Sequence, residues 1–145
     1  MKIANRRLMW HGMLLFLFGL GTGLAEQHFT NPRMGLAAHL EGVMNGTFLI
    51  VLGAIWTEVH LPPIAKGTAY WSALYGAYAN WLFTTFGAVF GTAAANPIAA
   101  AGYHAQPWQE SLAAAGFFSV AVVITISVAL VLWGLRGGIP VREPR

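Results

Sequence analysis

Four polar side chains in this chain could do chemistry, because they fall where water is normally excluded. His39, Glu41 and Asn45 lie within the run GLAAHLEGVMNGTFLIVLGAIW, and Asn80 lies in YGAYANWLFTTFGAVF. The first run is long and apolar enough to cross a bilayer, and the second lies within the segment of about 68–94, which is also long enough. An ionisable group at mid-bilayer costs roughly 2.5–3.5 kcal/mol on insertion scales, so it marks a functional site by default. An imidazole can ligate a metal or relay a proton, and a carboxylate can accept hydrogen bonds or act in acid–base chemistry. Carboxamides can hold a polar substrate in one orientation. The alternative is interhelical glue, worth about 0.6 kcal/mol per contact. It accounts for Asn80 and Thr84 more readily than for His39, Glu41 and Asn45 together.

Helix geometry sorts these residues by face. At about 100° per residue, Gly35, Gly42, Gly46 and Gly53 share the face of His39. Glu41 and Asn45 are i,i+4 neighbours on another face, with Asn45 about 120° round from His39. One monomer would not easily use both faces in one pocket, whereas a site between protomers could. Asn80, followed by Thr84 one turn on, shares a face with Ala73, Gly76, Gly87 and Gly91. With antiparallel helices, Asn45 and Asn80 fall within roughly 3 Å of the same depth.

The elements that carry these residues are transmembrane. The chain has 145 residues, 57% of them hydrophobic and only 9% charged, with a mean hydropathy of +0.58. Four segments, about 7–25, 35–57, 68–94 and 110–135, are long enough to span. The fold class expected is therefore all-α, a polytopic four-transmembrane-helix bundle forming a single domain over 1–145. The first apolar run has basic flanks, but the AEQ after it is a poor cleavage context, so it reads as a span and not a signal peptide. Pro32, Pro62–Pro63 and Pro97 mark the loops, and Gly137–Gly138 with Pro140 ends the fourth helix.

Net charge is +3, yet the placement of that charge excludes a nucleic-acid reading. Lys2, Arg6, Arg7, Lys66, Arg136, Arg142 and Arg145 lie at the termini and in the second loop, and only Arg33 lies in the first. That asymmetry is the one expected of a protein with both termini in the cytoplasm. Trp10, Trp56, Trp71, Trp108 and Trp133 fall near helix ends as an interfacial belt, and Trp81 alone lies mid-helix. His11, His28 and His60 read as interfacial, while His104, Trp108 and Glu110 in or beside the long outer loop could cap an entrance or, at least as readily, belong to an interfacial loop with a tryptophan anchor.

With no cysteine, disulfides, thiolate metal sites and cysteine catalysis are excluded. No HExxH and no repeated Glu-x-x-His pair supports a di-iron bundle. A single histidine on a glycine face would suit a haem with its sixth position open.

The segments HGMLLFLFGLGTGL, NPRMGLAAHLEGVMNGTFLIVLGAIW and YGAYANWLFTTFGAVFGTAAANPI resemble the hydroxylaminobenzene mutases, small bacterial membrane proteins of nitroarene degradation. The resemblance covers all four helices and implies conversion of hydroxylaminobenzene to 2-aminophenol, an enzymatic counterpart of the Bamberger rearrangement. More distantly the chain resembles styrene oxide isomerase, a trimeric four-helix membrane enzyme that binds haem b. That resemblance implies His39 as the axial ligand of the haem iron and Asn45, Gly46 and Asn80 as further matched positions. The tyrosine that helps bind epoxide in that family falls at Thr84 here, and the departure points to a different substrate. The implied site has His39, Gly42 and Gly46 at the haem, and Asn45, Asn80 and Glu41 as catalytic groups. Tyr75, Tyr78, Trp81, Phe83 and Thr84 would bind a small aromatic substrate, in a homotrimer with sites between protomers. The competing expectations are a haem-dependent epoxide isomerase, a non-catalytic haem or quinone membrane subunit, and a purely structural bundle.

Overall fold

The computed structural model describes residues 2–136. It consists of α1 (Lys2–Ala25), a short 3-10 turn (Glu26–His28), α2 (Pro32–Ile55), α3 (Pro63–Phe90) and α4 (Pro107–Leu135), and has no strand among the described residues. The break expected at Gly137–Gly138 and Pro140, and the charges of Arg142 and Arg145, lie outside the described residues. Three helices, Ile3–His28, Pro32–Ile55 and Pro107–Leu135, are each long and apolar enough to cross a membrane. The α3 helix, which includes Lys66, Ser72 and Asn80, is not among these three.

Helix starts follow from local chemistry. The α2, α3 and α4 helices all open with proline at the first position, where the missing N–H costs nothing and φ is already helical. They therefore begin at 32, 63 and 107, a few residues before the apolar spans read at 35, 68 and 110. Asn31 caps α2 by accepting from the Arg33 and Met34 N–H groups at 3.1 and 3.2 Å. Gln106 and Gln109 form a reciprocal capping box on α4. At the other end of α3, Gly91 takes φ +71 and stops the helix at Phe90, short of the expected residue 94.

Each helix packs chiefly on its neighbour in the chain, and α1 adds a smaller contact with α3. The α1–α2 seam brings backbone to backbone. A Cβ added to Gly42 would lie 2.4 Å from the Cα of Gly19, and one added to Gly12 would lie 2.6 Å from the carbonyl oxygen of Gly46. The α3–α4 seam sets glycine against side chain, with Gly76 under Ile124 and Gly116 under Phe83. Ser127 of α4 also donates to the Ala69 carbonyl at 3.0 Å. The main apolar cluster, with Leu8, Leu15, Leu49, Leu52, Trp56, Val59 and Ala73, fills the end nearer the N-terminus.

Trp56 departs from the interfacial belt. It is only 2% exposed, packs edge-on against Tyr70 and lies beneath the Lys66 ammonium at 5.6 Å. Trp10, Trp71, Trp108 and Trp133 are all more than half exposed, as an aromatic belt requires.

The outer connection, residues 91–106, is pinned rather than loose. Glu110 accepts from the N–H groups of Ala93, Ala94 and Ala105 at 3.0, 2.9 and 3.2 Å. The buried Asn31 donates to the Ala99 carbonyl at 3.2 Å, and Arg33 donates to the Ala101 carbonyl and lies over the Tyr103 ring. Glu110 thus clamps the loop backbone, Trp108 packs edge-on against Phe86 and Phe90, and His104 is exposed. These contacts give Glu110 and Trp108 a structural role at the place where an entrance cap was expected.

Candidate active site

His39 is half-buried and points at α1. Its Nδ1 lies 2.8 Å from the Gly19 carbonyl oxygen, which can only accept, so Nδ1 carries the proton and the Nε2 lone pair is left free. A second group holding one ring nitrogen in this way is how metal-ligating histidines are oriented. Gly23 makes room for the ring, since a Cβ there would lie 2.6 Å from Nδ1. An open groove of about 520 Å³ runs past the ring, lined by Leu20, Gly23, Leu24, Glu26, Leu36 and His39. Among the described residues no three His, Asp or Glu side chains cluster to chelate a bare metal. A metal held here would need to bring its own equatorial ligands, as a porphyrin does, and one imidazole above an apolar groove fits that requirement.

On another face of α2, Glu41 collects both carboxamides. Asn45 Nδ2 donates to Glu41 Oε2 at 3.0 Å, and Asn80 Nδ2 donates to the same oxygen from α3. The i,i+4 pair and the matched depth read from the sequence therefore meet in one network. Thr84 is buried and returns its hydroxyl to the Asn80 carbonyl at 2.8 Å, so it braces the backbone beneath that residue.

The aromatic residues of α3 divide between two neighbours. Tyr78 lies 3.1 Å from His11 Nδ1 and donates to the His11 carbonyl at 3.2 Å. Trp81 stacks on Phe18 with centroids 5.2 Å apart and donates its indole N–H to Thr22 at 2.9 Å. Both therefore face α1. Tyr75 reaches Ser119 of α4 at 2.8 Å, and Phe83 packs on Gly116 and Phe117 of α4. Within one chain these four do not line one pocket. Tyr78 and Asn80 stand about 200° apart on α3, which sets the carboxamide network on the side of α3 away from α1. Gly42 and Gly46 are likewise occupied by helix packing, against Gly19 and Trp81 and against Gly12 and Phe16.

Two partners escaped the sequence reading. His11, expected at the interface, holds the Tyr78 hydroxyl, and Thr22 receives Trp81. The available signal for Thr22 was its place three residues after Gly19, on the glycine face of α1. His28 and His60 lie in exposed turns, as expected of interfacial histidines.

A family model described as styrene oxide isomerase matches residues 4–136. The chain is 44% identical over 132 residues to hydroxylaminobenzene mutase HabB of Ectopseudomonas oleovorans, covering 90% of this chain and 80% of that protein. It is 38% identical over 125 residues to hydroxylaminobenzene mutase HabA of the same organism, covering 86% and 93%. No solved structure matches.

Proposed function

The chain belongs to the styrene oxide isomerase family, and from that premise we propose that it isomerises arylhydroxylamines to 2-aminophenols inside a membrane. The observation that carries this reading is the meeting of Asn45 and Asn80, from two helices, on Glu41. The substrate class follows the two relatives named as hydroxylaminobenzene mutases. With α3 as the fourth span, the distribution of basic residues supports both termini in the cytoplasm, and the bacterial relatives support an inner-membrane location.

The reaction is a rearrangement without net redox change. The N–O bond breaks, the oxygen bonds to the ortho carbon, and the ring proton displaced there passes to nitrogen. Asn45 and Asn80 orient the N–OH group, so the departing oxygen stays within reach of the ortho carbon. The apolar helices exclude water that would otherwise trap the electron-poor ring at another carbon. His39, through the Nε2 left free by its bond to Gly19, would hold a haem b, which would supply a Lewis acid for a substrate heteroatom. His39 and the carboxamides occupy different faces of α2, which supports a ring of protomers in which one chain's His39 groove meets the next chain's carboxamides. A head-to-tail contact of this kind forms a ring when its rotation closes, and the ring proposed here is a homotrimer.

The decisive experiment is turnover of hydroxylaminobenzene by purified protein in ¹⁸O-labelled water. The expected product is 2-aminophenol with unlabelled oxygen. Full incorporation of solvent label would overturn the intramolecular route, and absence of aminophenol would overturn the substrate class.

A further inference from the structure

Glu41 does more than neighbour the two carboxamides; it decides which way they face. Both Nδ2 atoms donate to one oxygen, Oε2. A carboxylate oxygen can only accept, and so can the carbonyl oxygen of a protonated acid, so the ordering is the same in either state. An amide that turns its NH₂ toward Glu41 must turn its Oδ1 elsewhere, because the two atoms branch from one planar carbon. Asn80 is further held by Thr84, which ties down the backbone beneath it.

We propose that Glu41 is a positioning residue that fixes Asn45 and Asn80 as a pair of hydrogen-bond acceptors, selecting substrates that carry two donors. The inference rests on the arylhydroxylamine reading and deepens it. A hydroxylamine offers N–H and O–H on adjacent atoms, matching two acceptors from two helices. An epoxide oxygen offers none and would meet two lone-pair-bearing oxygens. Unpaired acceptors in a desolvated site reject such a ligand strongly, which is how a site built for donors discriminates. Glutamine at position 41 would change the pattern, since its own NH₂ can bond to one asparagine Oδ1 and flip that amide.

The test uses full-length protein in detergent and two unreactive probes, O-methyl-N-phenylhydroxylamine with one donor and its N-methyl derivative with none. Calorimetry on the unaltered protein should give a Kd ratio of about tenfold in favour of the donor-bearing probe, the usual worth of one well-made hydrogen bond. In Glu41→Gln, which turns one of the two amides, the ratio should shrink, and in Glu41→Asp, which keeps a carboxylate that only accepts, it should persist. Should Glu41→Gln fail to accumulate, Asn80→Ala reads the same gap by deleting one acceptor, and the ratio should again shrink. A ratio already near one in the unaltered protein, or unchanged in Glu41→Gln or Asn80→Ala, overturns the inference. Formation of 2-aminophenol is scored separately on the unaltered protein, so loss of the substrate reading and loss of the Glu41 role give different results.

Discussion

The two outer seams of the molecule are built on opposite plans. Between α1 and α2, glycine meets glycine and the backbones are in contact, as at Gly19 and Gly42. Between α3 and α4, glycine meets the end of a longer side chain, as at Gly76 and Ile124. The first arrangement leaves no side chain at Gly19 or Gly42 that could yield, and it is the one that carries His39. The second leaves a side chain that can change rotamer. A histidine oriented by a backbone carbonyl on the opposite helix needs the rigid plan, because any spreading of α1 from α2 lengthens the bond to Gly19. Close backbone approach through small residues is also what membrane helices use in place of a hydrophobic driving force.

The largest effect tests what the rigid seam holds. If the proposed haem is held at His39, His39→Ala should remove both its absorption near 400 nm and activity, with membrane insertion intact because alanine favours insertion. A retained absorption band in the purified variant would reduce His39 to a packing residue. Next comes the seam itself. Gly42→Ala forces the helices apart and should lower stability by about 1–3 kcal/mol, read as a lower Tm in detergent. Activity should fall with it as the Gly19 carbonyl is drawn away from His39. An unchanged Tm would mean that the seam relaxes, and the contrast between the two plans would fail. The smallest effect is expected for Gly76→Ala, where a Cβ would lie 2.9 Å from Ile124 Cδ1, the far end of a flexible chain. Its cost should fall below that of Gly42→Ala, with activity retained. A Tm loss equal to that of Gly42→Ala would show both seams to be equally tight.

Much of this was legible in the residue order. The Glu41–Asn45 contact follows from four-residue spacing alone, and its meeting with Asn80 follows from depth along two antiparallel helices. The separation of His39 from Asn45 follows from the turn angle. Apolarity alone puts the helix starts late, because Pro32, Pro63 and Pro107 initiate helix before the apolar run begins. What spacing cannot give is the neighbour that a given face meets. Tyr75, Tyr78, Trp81 and Phe83 form one aromatic group along the chain, yet their partners lie on α1 for two and on α4 for the others. Trp56 looked like a belt residue because its position at a helix end is identical for a ring facing lipid and one facing Tyr70. Spacing leaves Glu110 open between an entrance cap and an interfacial loop, because its three backbone donors come from a segment with no sequence signature.

The short turn at Glu26–His28, leading to the capped start at Asn31, has a consequence for the order of assembly. It joins the two glycine faces over only a few residues, so loop closure is brief and the contacts it allows are local. Synthesis delivers α1 and then α2, and domains mature from the N-terminus onward. This hairpin can zip glycine to glycine before α3 has emerged. The seat of the histidine is then a finished object when the carboxamide of Asn80 arrives, and the later helices are added to a template rather than folded with it.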